Sequence, residues 1–353
     1  MIRPALSALR GGPVLLDLRL GSFASFRINV RVLAICLLLL VVVIALAAWA
    51  ATLGSFIVPL DEVVRATFSE STRQFEFVVV QLRLPRILSA ILVGAALASS
   101  GAIFQGLVRN PLVSPDIIGI QAGATVVAVF MIVNGYTDRY IPLGAFGGAV
   151  TAATAIYLLA WKGGMSGNRL VLVGIGIDAL LAAGTRYLIV KFPVQQAQAA
   201  IAWSTGTVYG TGWFDVQVIA VALGELLPLA IVLTWQLRVL QFGDDIAYVL
   251  GMRVEPTRLA LILVGCALAA VAVAVAGPVG FIALMVPHVA RIIGGPMTGG
   301  TLLLTALLGA VLLLGADIVA LHVLPVALPV GVVTAGVGAP YFLFLLYRAN
   351  VRM

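Results

Sequence analysis

The chain has 353 residues, of which 62% are hydrophobic and only 10% charged, with a mean hydropathy of +1.15 and a formal net charge of +7. Soluble globular domains carry about 25% charged residues, so water is not the main solvent of this chain. The basic residues are scattered between apolar runs rather than gathered into a patch, which excludes nucleic acid as a partner and points to membrane topology.

A helical crossing of a hydrocarbon layer about 30 Å thick takes roughly 20 apolar residues, so this length has room for about ten crossings and little else. Residues 1–31 form an arginine-bearing N-terminal segment, expected in the cytoplasm. The apolar run from Val32 to Leu53 is longer than the core of a signal peptide and is followed by many similar runs, which makes it a first transmembrane helix. Further crossings are expected at 84–106, 117–134, 141–161, 169–190, 215–236, 258–276, 282–294, 301–320 and 328–347. The eighth is too short to span alone and needs an irregular stretch at Gly277, Pro278 and Gly280 to complete it. Such backbone is tolerated at membrane depth only where protein or a water-filled cavity surrounds it.

With the N-terminus inside, 14 of the 21 Lys and Arg fall on the cytoplasmic side, which predicts both termini in the cytoplasm. Leu92-Val93-Gly94-Ala95-Ala96-Leu97-Ala98 matches Leu263-Val264-Gly265-Cys266-Ala267-Leu268-Ala269 at six of seven positions, and Pro85 pairs with Pro256. Ile117-Ile118-Gly119 is likewise paired with Ile292-Ile293-Gly294. The halves begin an odd number of crossings apart, so repeats over about 82–190 and 255–347 are expected to run in opposite directions, a transporter architecture. The run of Gly94, Ala95, Ala96, Ala98, Ser99, Ser100, Gly101 and Ala102 predicts a tightly packed bundle.

No nucleotide-binding loop is present, because the only lysines, Lys162 and Lys191, are followed by Gly and Phe rather than Ser or Thr. His288 and His322 lack metal-site spacing, Cys36 and Cys266 read as packing residues, and no enzymatic site, metal site or resident cofactor is expected. Asp178, Arg186, Glu225 and Asp317 are ionisable residues within crossings. They fit either a proton relay or, in a permease, side chains satisfied by partner groups or helix ends. Asp244 and Asp245 at the start of a short segment, with Gly251 after its end, are helix-boundary chemistry between crossings six and seven.

Arg83-Leu84-Pro85-Arg86, Gly101-Ala-Ile-Phe-Gln105, Arg109-Asn110-Pro111-Leu112 and Pro115-Asp116-Ile-Ile-Gly119 occur in that order. They are followed by Gly243-Asp244-Asp245, Leu250-Gly251, Gly277-Pro278-Val-Gly280-Phe281, Val286-Pro287-His288, Ala316-Asp317 and Leu328-Pro329-Val-Gly331. Together these resemble the permease family of iron-siderophore and vitamin B12 ABC importers over about residues 30–348. Pro115 to Gly119 and Trp203-Ser-Thr-Gly206 look most like the second permease of ferric catecholate-siderophore systems.

The resemblance implies an all-α permease of about ten transmembrane helices in the bacterial inner membrane, working by alternating access. It implies a second, homologous permease, two cytoplasmic ATPase subunits that bind ATP and magnesium, an extracytoplasmic binding protein, and an iron(III)-siderophore substrate. It assigns Arg83 and Arg86 to docking of the binding protein, and Ser166, Gly167 and Asn168, after Met165, to the cytoplasmic gate. Within a coupling segment over 238–257 it assigns Gly243, Asp244, Asp245, Ala247, Leu250, Gly251 and Arg253 to contact with the ATPase. The family often has an arginine four residues after the Asp of the Ala-Asp motif; here that position is Leu321, beside His322. An ion-coupled carrier and a structural membrane anchor are the alternatives in other classes.

Overall fold

The computed structural model describes residues 3–4, 15–20, 24–54, 56–68, 70–162 and 166–350, so Met165 lies outside the described residues. Strands β1 (Arg3–Pro4), β2 (Leu15–Leu20) and β3 (Ala24–Asn29) form an antiparallel sheet in that order, with Leu16 opposite Ile28. The sheet leads into α1 (Val30–Thr52), whose first turn is capped by the Asn29 side chain accepting from the Arg31 N–H. Short helices α2 (Leu60–Thr67) and α3 (Arg73–Glu76) follow, and a π-helical stretch over Phe77–Arg83 runs into α4 (Leu84–Val108) with Pro85 in its first turn.

The remaining elements are α5 (Ile120–Val133), α6 (Ile141–Ala160), α7 (Gly167–Lys191), α8 (Val194–Ser204), α9 (Trp213–Gln241) and α10 (Asp244–Val249). They are completed by α11 (Val254–Ala276), α12 (Ile282–Gly294), α13 (Gly299–Ile318) with a π-helical tail over Val319–Val323, and α14 (Val330–Asn350). Among the described residues, seven helical segments are long and apolar enough to cross a membrane, and three shorter apolar helices lie at α5, α12 and α14. These ten occupy the positions of the ten expected crossings.

The bundle is built around α4, in which every residue from Val93 to Leu107 is buried. Around it stand α13, α11, α9 and α12. Small residues let the backbones meet: a Cβ on Gly94 would lie 2.3 Å from the Gly309 carbonyl oxygen on α13, and one on Gly309 would lie 2.2 Å from that of Gly94. A Cβ on Gly101 would lie 1.9 Å from the Ala283 oxygen on α12. Polar side chains join the same contacts, with the Ser100 hydroxyl donating to the Gly265 carbonyl at 2.7 Å and the Gln105 amide donating to that of Leu284 at 2.9 Å. Arg291 on α12 in turn donates to the Gln105 Oε1 at 2.6 Å.

The irregular stretch before α12 lies where expected, with Gly277 and Phe281 at φ of +68° and +67°. It is enclosed by protein: Val279 is fully buried and its carbonyl accepts from the Gln121 side chain, while the Thr207 N–H bonds the Ala276 carbonyl at 2.7 Å. The sequence reading differs in three places. Residues Arg73 to Val108 make one continuous 36-residue helical run, so the second crossing starts earlier than 84. Helices α2, α3 and α8 and the small sheet are additional. The pairing of Ile117–Gly119 with Ile292–Gly294 also fails, because the first triplet leads into α5 and the second closes α12.

Candidate functional sites at the two ends of the bundle

At the near end, where α4 begins, Arg83 and Arg86 are one turn apart yet reach different partners. The Arg83 guanidinium donates to the carbonyls of Ala51, at 2.6 Å, and of Phe56. Arg86 forms an ion pair with Asp317 on α13 at 2.7 Å, the two side chains being only 18% and 6% exposed. Both arginines are therefore held within the chain before any partner arrives. The Trp213 indole N–H donates to the Val80 carbonyl at 2.9 Å and ties the start of α9 to this end.

Of the other ionisable residues singled out in the crossings, Asp178 is partly buried on α7, while Arg186 on α7 and Glu225 on α9 are exposed. Among the described residues no ion pair joins these three, and no cluster of three His, Cys, Asp or Glu is placed to hold a metal. His288 stacks edge-on against Tyr341, and Cys36 and Cys266 are buried free thiols. In the loop before α5 one carboxyl oxygen of Asp116 is buried without a hydrogen-bond partner, and burial pushes this carboxyl above the usual carboxylate range.

At the far end, where α4 finishes, the chain leaves the helix through Arg109 in the left-handed conformation, φ 58°, and the N–H groups of Arg109 and Asn110 both return to the Gln105 carbonyl. Gly243, at φ +115°, opens α10, with Asp244 and Asp245 in its first turn, and Gly251, at φ +79°, reverses the chain after it. The Met252 N–H closes the loop on the Ala247 carbonyl at 3.0 Å. Ala247 is fully buried, so within the expected coupling set it holds the turn together, while Ile246, Tyr248, Val249 and Leu250 form an exposed apolar tip with Arg253 exposed nearby.

A polar cavity of about 410 Å³ joins this element to the turn at the start of α7. It is lined by Arg109, Ser166, Gly167, Asn168, Asp244 and Arg258, together with Leu107 and Val108. Asp244 pairs with Arg258 at 2.8 Å and lies 3.8 Å from Arg109, and Arg258 also holds Glu255 at 3.1 Å. Sequence reasoning placed the gate turn and the coupling segment separately and missed both their common cavity and the parts played by Arg109 and Arg258. The signal for Arg258 was slight: a pair of charges, Glu255 and Arg258, near the start of an otherwise apolar helix.

The sequence profile of the FecCD transport family matches residues 20–348. This chain belongs to the FecCD transport family. The achromobactin transport system permease protein CbrC of Dickeya dadantii is 40% identical over 94% of this chain and 95% of its own length. The ferric enterobactin transport system permease protein FepG of Escherichia coli is 40% identical over 91% of this chain and 97% of its own. The fold matches, at a TM-score of 0.81 and 27% identity, a solved structure described as an inward-facing conformation of a metal-chelate type ABC transporter, covering 89% of this chain and 99% of that one. As a member of the FecCD family, the chain is a multi-pass membrane permease subunit of an ABC importer, and permease subunits of this family lack an ATPase site.

Proposed function

We propose that this permease moves an iron(III)-siderophore, of the catecholate or a related type, across the bacterial inner membrane. It does so by alternating access, paired with a second, homologous permease. Two cytoplasmic ATPase subunits bind ATP and magnesium, and an extracytoplasmic protein delivers the chelate. The far end faces the cytoplasm with both termini, residues 1–31 included, and the near end faces outward. The observation that carries the ATPase reading is the exposed apolar tip of α10, which an isolated surface turn has no reason to keep and a docking cleft would cover.

The coupling segment over 238–257 then meets the ATPase through Ile246, Tyr248, Val249 and Leu250, with Gly243, Ala247 and Gly251 shaping the turn. Ser166, Gly167 and Asn168 form the cytoplasmic gate. Arg83 and Arg86 mark the surface for the binding protein, with their internal partners holding both charges in fixed positions. Inverted repeats over about 82–190 and 255–347 are supported by reciprocal packing, since α4 contacts α12 and α13 as α11 contacts α5 and α6. Both short helices, α5 and α12, also open on a left-handed residue, Gly119 and Phe281.

Vesicles carrying the complex with its ATPases and binding protein provide the test. Uptake of the ferric chelate should require ATP, stop with vanadate and continue with a protonophore. Uptake that stops with the protonophore and ignores vanadate would show an ion-coupled carrier instead.

A further inference from the structure

The cavity at the far end contains one acid, Asp244, between two cations that belong to different helices. Arg258 lies one turn into α11, has a side chain only 9% exposed, and holds Asp244 at 2.8 Å. Its second partner, Glu255, means that Asp244 can leave without stranding a buried cation. Arg109 ends α4 and lies 3.8 Å from the same Asp244 oxygen, about 1 Å beyond the length of a charge-assisted hydrogen bond. Both Asp244 and Arg109 keep side chains more than 40% exposed, and the cavity leaves them room to move.

The end of α4 also bears on the turn at the start of α7. A Cβ on Gly167 would lie 3.2 Å from the Val108 Cα, so the two backbones are already close and a shift of one displaces the other. The Ser166 side chain makes no capping bond to α7; the turn is tied back to the end of α6 by Arg169, which donates to the Ala160 carbonyl at 2.5 Å, so its side toward α4 is held by packing alone.

We propose that Asp244 is an ionic latch, a positioning residue that holds α10 to Arg258 in this state and transfers to Arg109 when α10 is displaced, moving the end of α4 and the 166–168 turn with it. The latch rests on the reading of α10 as the ATPase-docking element. A displacement shifts the balance only because Asp244 has a different partner in each state.

The test uses the assembled complex carrying Asn168→Cys, with labelling by a membrane-impermeant maleimide compared between the nucleotide-free and vanadate-trapped states; the native thiols, Cys36 and Cys266, are buried. The parent should label at different rates in the two states. Asp244→Asn should reduce that ratio by at least about fivefold, the range of a coupling free energy. Arg109→Gln should do the same, the double variant should be no worse than either, and Asp244→Glu and Arg109→Lys should recover the difference. This last recovery is not expected of residues that merely support the local fold. Unchanged state dependence in Asp244→Asn, or losses that multiply in the double variant, overturns the latch. Should Asp244→Asn fail to assemble, Arg109→Gln decides alone, since Arg109 lies at the cavity's exposed edge. Because labelling needs no chelate, failed iron uptake by a parent that labels normally would count against the substrate and leave the latch standing.

Discussion

Taking the guanidinium from Arg86 would leave the Asp317 carboxylate, 6% exposed, without its counter-ion. Breaking a pair this buried costs about 3–5 kcal/mol, far more than the exposed charge pairs of a protein surface. Arg86→Ala should therefore lower the thermal unfolding midpoint of the detergent-solubilised protein clearly, and the exchange Arg86→Asp with Asp317→Arg should recover most of it. Arg83→Ala, which removes only bonds to two carbonyls, should do less. Stability unchanged in Arg86→Ala would make the pair incidental. It follows that loss of transport on reversing Arg86 is no evidence for docking, whereas reversal of Arg83 is the cleaner probe. That Asp317 is satisfied by a partner group was readable from its place in an apolar helix. Its partner was not, because 231 residues separate the two and nothing local records the pairing.

The crossing of α4 and α13 depends on two glycines that face one another, Gly94 and Gly309. A methyl at either would meet backbone, which cannot rotate away, so the helices would have to separate. Gly94→Ala should destabilise the bundle by about 1–3 kcal/mol, and Gly309→Ala alike; the double variant should show no comparable second loss, because the helices are already apart. Chemical denaturation in detergent measures this, and a neutral Gly94→Ala would show that the crossing is looser than drawn. Apolar runs made the ten long or short apolar helices legible, and Gly243, the paired acids and Gly251 made α10 legible. The elements outside the apolar runs were less so. In α2 the sequence LDEVVRAT keeps Val63 and Ala66 buried at a spacing of one turn, and α8 follows Pro193 with a run of Gln and Ala. Both signals are short and easily lost beside stronger apolar ones. In β2 and β3 the alternation of Leu16, Leu18 and Leu20 with Asp17 and Arg19, and of Phe26 and Ile28 with Ser25 and Arg27, is a period-two pattern confined to six residues in each strand.

For the whole molecule, α4 runs from one end to the other at the centre of the bundle. The near-end pair of Arg86 with Asp317 and the far-end cavity at Arg109 sit at opposite ends of α4. The far end couples to separate ATPases through α10 in the proposed scheme, and the near end receives the chelate, so α4, like α9, is shared by both ends. The long-range parts of this plan, namely which helix lies at the centre and which side chains meet across it, are set by packing between residues far apart in the chain. They were therefore visible only as a tendency, in the small residues of α4.

The helices that enclose α4 are α9, α11, α12 and α13, all of which come later in the chain. During synthesis α4 must therefore wait in the bilayer, with Ser99, Ser100 and Gln105 turned toward lipid or toward temporary neighbours, until more than a hundred further residues have been inserted. A fragment ending at residue 212 should be cleared rapidly by membrane quality control in cells, and co-expression of 213–353 should lengthen its lifetime, as pulse-chase labelling would show. A fragment as long-lived as the whole chain would mean that α4 is satisfied without its later partners. The helix at the centre of the finished transporter is thus its most vulnerable part while the chain is being made.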